Sequence, residues 1–230
     1  MKLHLQQSLV LVAAFAMISC ATSKVQTKES QAAITPQQAV KALKEGNVRF
    51  ASGHSIRRDL VAQAKKTSSG QHPMAAVLGC IDSRASNEII FDQGIGDIFS
   101  ARVAGNVLND DVLGSLEFAT AKSGAKAILV VGHTRCGAVI GACSNAKLGH
   151  VTGLLEKIKP AVRKAASDPK CEHAGPAFED QVAAENVKDV VAAIRAQSAV
   201  LAKLERDGKL VISGGLYHLD TGLVEFFSQN

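Results

Sequence analysis

Three side chains of this sequence have the types and spacing to hold a metal ion. His133 and Cys136 form a His-x-x-Cys pair, and Cys80 stands far upstream in the run Cys80-Ile81-Asp82-Ser83-Arg84. Two thiolates and one imidazole suit a tetrahedral zinc, and three protein ligands leave one vertex for water. A fourth protein ligand would close the site instead. Asp82 is two residues from a ligand, near enough to reach the open vertex. Arg84 can hold the Asp82 carboxylate as a bidentate pair and keep it ionised. The plainer reading of these two is a surface ion pair at a helix start, which contributes little. His-x-x-Cys alone is a weak motif; the Cys-x-Asp-x-Arg run gives it content.

Such a site needs elements that bring distant segments together. Residues 75–79 are a short apolar run leading into Cys80, and 127–131 a branched apolar run shortly before His133. Both ligand segments therefore follow the C-terminal ends of buried strands, where ligands collect in open α/β sheets. Residues 98–103 and 210–212 read as further strands, and 223–227, after Asp220-Thr221-Gly222, as an antiparallel edge. Helical periods fall at 112–123, 137–145, 151–166 and 182–207, and Thr35-Pro36 opens an earlier helix. The expectation is an α/β domain over residues 35–230. Its sheet is mostly parallel and four-stranded, with an antiparallel C-terminal edge strand and helices on both faces. Cys136 begins a helix, where the N-terminal dipole favours the thiolate. The Gly137 N–H, at the same terminus, is a natural anion donor.

The 230 residues, 47% hydrophobic and 20% charged, suit one globular domain with a sizeable core. The net charge of +5 is mild, and with no Trp and one Tyr there is no base-stacking platform. Nucleic acid is thus excluded as a partner. Residues 1–20 read as a signal peptide: Lys2 is the positive start, and 9–18 is an apolar run too short to span a bilayer. Ser19-Cys20-Ala21 reads as a lipoprotein processing site, with Cys20 lipidated and tethering the mature chain to the outer membrane. Ordinary cleavage after Ala21 is the alternative. Either route gives an exported, periplasmic protein. Residues 21–34 are polar and read as a tether. In an oxidising compartment thiols survive if metal-bound, buried or paired. Cys80 and Cys136 have the metal; Cys143 and Cys171 are left as either a disulfide or two buried thiols.

Cys-x-Asp-x-Arg followed by a distant His-x-x-Cys is similar to the signature of the beta-class carbonic anhydrases. Glu45-Gly46-Asn47-x-Arg49-Phe50 resembles the family's N-terminal helix. The run Ile90 to Phe99 and the triplet Ala104-Gly105-Asn106 resemble the segment after the first ligand. Gly214 to Phe226 resembles the C-terminal hairpin. The resemblance implies zinc at Cys80, His133 and Cys136 with hydroxide in the fourth position. It implies that Asp82, held by Arg84, accepts a hydrogen bond from that hydroxide and turns it toward CO2, yielding bicarbonate and a proton. Gln71 matches the substrate-side amide of the plant-type branch. Phe99 and Phe118 match an apolar wall around the CO2, Phe118 standing where plant-type members carry Tyr. The resemblance also implies a homodimer, sometimes paired into a tetramer. The chain departs from it at Ala85-Ser86, where Val-Pro is usual, and at Arg135 between the ligands. Two other activities fit the same residues: hydrolysis of carbonyl sulfide or carbon disulfide on this scaffold, and zinc binding or redox sensing without turnover.

Overall fold

The computed structural model describes residues 21–166 and 175–228. The leader, Cys20 and Cys171 lie outside them, and with them the lipidation and disulfide expectations.

Five strands form one sheet: β1 (Ala75–Gly79), β2 (Ile98–Arg102), β3 (Ala127–His133), β4 (Val211–Tyr217) and β5 (Val224–Phe226). Their order is β2-β1-β3-β4-β5. The first four run parallel and β5 closes the edge antiparallel, as expected. Every residue of β1, β3 and β4 is buried. That is why these segments read as continuous apolar runs rather than alternating ones: both faces are covered.

The helices are α1 (Lys28–Ala33), α2 (Pro36–Ala51), α3 (Leu60–Lys66), α4 (Asn87–Ile90), α5 (Asp110–Glu117), α6 (Gly137–Cys143), α7 (Gly149–Glu156), α8 (Lys159–Ala165), α9 (Gly175–Gln197) and α10 (Ala199–Arg206). Side chains alternate between the two faces of a strand. Ala75, Val77, Leu129 and Val131 pack with Val40 and Leu43 of α2 and with Ile90 and Phe91. Ala76, Leu78, Ile128 and Val130 pack on the other face with Leu116 of α5, Val187 and Ile194 of α9, and Leu201 of α10. A third cluster, of α6 to α9, sits beyond the C-terminal strand ends and includes Cys80, Cys136 and Cys143.

The structure differs from the sequence expectation at several points; β4, for one, runs on to Tyr217 where only 210–212 is expected. Residues 151–166 form two helices, because Pro160 enters the first turn of α8. Residues 182–207 also form two, because Ser198 leaves the helix and its hydroxyl accepts the Leu201 N–H as an N-cap. The expected tether is docked instead. Thr22 N–H donates to Arg57 O and Thr22 O accepts from Asp59 N–H, each at 2.9 Å. Gln31 of α1 is buried and donates at 2.8 Å to both Pro73 O and Ser123 O.

α2 runs through Gly46 for a steric reason: a Cβ there would lie 1.9 Å from Phe91 O. Its neighbour Asn47 donates to Ile90 O and Gly222 O and accepts from Val224 N–H. Arg49 binds the buried Asp92 at 2.6 Å. The family-like helix residues therefore join α2 to α4 and the hairpin, and touch no metal ligand.

Candidate metal centre

β1 and β3 are parallel neighbours with Leu78 opposite Val130. Cys80, just past β1, and His133, the last residue of β3, therefore arrive side by side at one end of the sheet. Thr134 N–H continues the ladder to Tyr217 O at 2.9 Å. Arg135 then adopts φ 54°, and its N–H donates to Asp180 Oδ1 at 2.8 Å. This left-handed residue turns the chain so that Cys136, the N-cap of α6, faces the same point as His133.

The ligand atoms of Cys80, His133 and Cys136 all lie within 4.8 Å of one another, and the three residues are buried. The two Sγ atoms are 4.0 Å apart. His133 Nδ1–H donates to Thr134 O at 2.9 Å, which fixes the tautomer and leaves Nε2 with its lone pair. Among the described residues, Nε2 is buried without a hydrogen-bond partner. A buried polar atom without a partner costs free energy, and a metal ion between it and the two sulfurs satisfies it. The donor set therefore fits zinc.

Asp82 stands beside this group, outside it. Its carboxylate takes Arg84 Nε at 2.9 Å, Arg84 Nη2 at 2.8 Å and the Arg84 N–H at 2.9 Å. Its Oδ2 lies 3.8 Å from His133 Nε2. The Arg84 hydrogen bonds outweigh partial burial and hold the Asp82 carboxyl well below the usual carboxylate range. Arg102 donates to Cys80 O at 2.8 Å and to Asp82 O at 2.6 Å, so the connecting turn is held by its backbone. Gly105 N–H donates to Cys80 Sγ at 3.3 Å.

The two cysteine sulfurs are in hydrogen-bond contact with each other. The Cys136 S–H bonded to it lowers Cys80 to about 4, against the opposing pull of burial. The same bond, with burial, raises Cys136. Burial pushes His133 down, but the Cys80 sulfur, the Thr134 carbonyl and Asp82 together outweigh it and the net shift is upward.

A family model described as carbonic anhydrase matches residues 75–224. The chain belongs to the beta-carbonic anhydrase family. It is 38% identical to carbonic anhydrase 2 of Mycobacterium tuberculosis over 193 residues, covering 81% of this chain and 90% of that one. It is 36% identical to the carbonic anhydrase of Mycolicibacterium smegmatis over 199 residues, covering 84% and 94%. Among solved structures it is similar to the beta-carbonic anhydrase CcaA, at 25% identity and TM-score 0.66 over 84% of this chain and 94% of that one. The Coccomyxa beta-carbonic anhydrase, solved with acetazolamide, gives 25% identity and TM-score 0.65 over 83% and 86%.

Like those relatives, this chain is a carbonic anhydrase with a zinc-type donor set. Within one chain Cys80, Asp82, Arg84, His133 and Cys136 meet, and Gly137 opens α6 beside them. Gln71, Phe99 and Phe118 do not join them. Gln71 is exposed ahead of β1, at the opposite end of the strand from Cys80. Phe99 lies level with Ala76, so a rise of about 3.3 Å per residue puts it roughly 13 Å from the level of Cys80. Phe118 stacks edge-on against Phe99 at 6.3 Å and is 51% exposed. Cys143 is buried at the end of α6. Sequence reasoning missed Arg102 and the Gly105 N–H. In the sequence Gly105 stands out only as part of a family-like triplet, and a backbone donor leaves no side-chain signal.

Proposed function

We propose that this chain catalyses the reversible hydration of CO2 to bicarbonate and a proton at a zinc held by Cys80, His133 and Cys136. One observation supports this above the rest: a buried, partnerless His133 Nε2 faces two cysteine sulfurs while a separate carboxylate is held 3.8 Å away by Arg84. A bound zinc supplies an acidified water near neutral pH. The protein supplies the geometry. Asp82, kept ionised by Arg84, offers an acceptor oxygen to the attacking solvent and fixes which way its lone pair faces. The uncharged CO2 needs no counter-ion on entry. The developing bicarbonate carries negative charge, which the Gly137 N–H can meet. Zinc stoichiometry measured alongside stopped-flow CO2 hydration tests the reading. About one zinc per chain with rapid hydration is expected; zinc without hydration would overturn it.

The substrate side is completed by a second copy in this reading. β2 is an edge strand, with a neighbour on only one side among the described residues, and proteins cover such edges. Phe99 lies in β2 and packs against the exposed Phe118, and Gln71 is exposed just ahead of β1, all away from their own metal centre. A two-fold partner apposed there brings them to the other copy's zinc. Two variants test it, Asp82→Asn and Gln71→Leu. Each alone is expected to be nearly inactive. Mixed after partial unfolding and refolding, they are expected to regain about one quarter of wild-type rate, since half of a random mixture is hybrid with one intact site. A mixture no faster than its components removes the shared site.

A further inference from the structure

We propose that Asn186 of α9 is a positioning residue for the metal centre. It holds the Gly105 backbone so that the Gly105 N–H stays on the Cys80 sulfur. The inference rests on the zinc reading above and extends it to a helix that carries no ligand motif.

Asn186 is 2% exposed, unusual for an amide side chain in the middle of a helix. Its Nδ2 donates to Gly105 O at 2.8 Å. On the other side of the same residue, Gly105 N–H donates to Cys80 Sγ at 3.3 Å. Gly105 has φ 64° and ψ 19°, a left-handed conformation. A Cβ there would lie 2.7 Å from Ile158 Cδ1 and 3.2 Å from Ala138 Cβ, so glycine is required by both conformation and space. Glycine also has the widest backbone freedom, and without a side chain it cannot anchor itself. Its conformation is set from outside: Asn106 N–H closes the turn onto Val103 O at 2.8 Å, and Asn186 fixes the Gly105 carbonyl.

The consequence falls on the sulfur. An N–H pointed at a metal thiolate draws charge from it and orients it. Two thiolates make an electron-rich centre, so each such donor changes how strongly the ion polarises water. Cys136 is the N-cap of α6, with no hydrogen bond to its side chain from the helix's first turn. Cys80 Sγ accepts the Gly105 N–H at 3.3 Å. That donor depends on a distant side chain, since Asn186 holds the other end of the same residue. Removing the Asn186 amide leaves Gly105 O buried without its partner and frees the peptide to turn its N–H away.

The test compares cobalt-substituted wild type with Asn186→Ala and Asn186→Asp. The Asp side chain has nearly the same shape but, when ionised, has no donor for Gly105 O. Ile194→Ala, in the same helix but in the cluster on the far face of the sheet, controls for general softening of α9. Both Asn186 variants are expected to shift the sulfur-to-cobalt charge-transfer band and to lose metal to a chelator about 10- to 100-fold faster. Ile194→Ala is expected to melt earlier with the band and release rate of wild type. Asn186 variants with wild-type band and release overturn the proposal while leaving the zinc reading intact. So does an Ile194→Ala that matches them. A wild-type chain that takes up no cobalt overturns both.

Discussion

Asp82→Asn is expected to lower CO2 hydration by about 10²- to 10⁴-fold with zinc still bound. The two halves of that expectation have different causes. Zinc stays because the converging donors are Cys80, His133 and Cys136, and Asp82 is engaged with Arg84 through both oxygens. Activity falls because an amide has one acceptor where the carboxylate has two. If Oδ1 keeps the Arg84 contact, the amide NH2 takes the Oδ2 position, 3.8 Å from His133 Nε2 in the native chain. It then donates to the attacking solvent instead of accepting from it, and the solvent lone pair turns away from CO2. Stability is expected to change little, since Arg84 is largely in water and exposed pairs are screened. The sign with pH follows from the depressed Asp82 carboxyl. Its small stabilising contribution is present above the ordinary carboxylate pKa and fades only as pH falls through the lower folded-state value. Because the pair is exposed and its contribution small even where it is fully present, wild type and variant should melt close together at neutral pH while differing in stopped-flow rate. A protein that binds zinc without turnover would show equal, negligible rates for both; an Asp82→Asn chain as fast as wild type would remove Asp82 from the reaction.

The metal half of this site was legible in the sequence, and the substrate half only partly. Cys80 and His133 each follow an apolar run, and such runs become adjacent parallel strands whose C-terminal ends coincide. Local sequence thus carried the long-range geometry. Gln71 and Phe99 carry no such information, because strand polarity sends them to the opposite end from Cys80. The other misreadings concern polar side chains that bond backbone at a distance. Gln31 looked like part of a tether, yet it is buried because two carbonyls receive its amide. Asn186 looked like one more polar position in a long helical period, yet it holds Gly105. Ser198 ended a helix that the apolar period alone would continue. For Gln31 and Asn186 composition reports polarity, and the partner that makes burial affordable is far away in sequence; for Ser198 it is the Leu201 N–H three residues on.

Stripping the metal is expected to abolish hydration completely, and what happens next depends on oxidant. Chelation leaves Cys80 and Cys136 with their sulfurs 4.0 Å apart in a buried pocket. A disulfide needs an S–S separation of about 2.05 Å, so each sulfur must move by about 1 Å. An oxidant such as diamide accepts two electrons, the two sulfurs bond, and their protons leave. The ion, when present, holds both sulfurs and blocks this route. The stripped chain is therefore expected to lose two titratable thiols under mild oxidation, while the zinc-loaded chain keeps them. Zinc added back before oxidation is expected to restore activity. After oxidation it is expected to do so only once a reductant has reopened the pair. Thiol titration, mass spectrometry and stopped-flow rates on the same samples follow the three states. Activity that survives chelation would break the link between these ligands and the reaction. Equal oxidation of stripped and loaded chains would show that the ion does not sit between the two sulfurs.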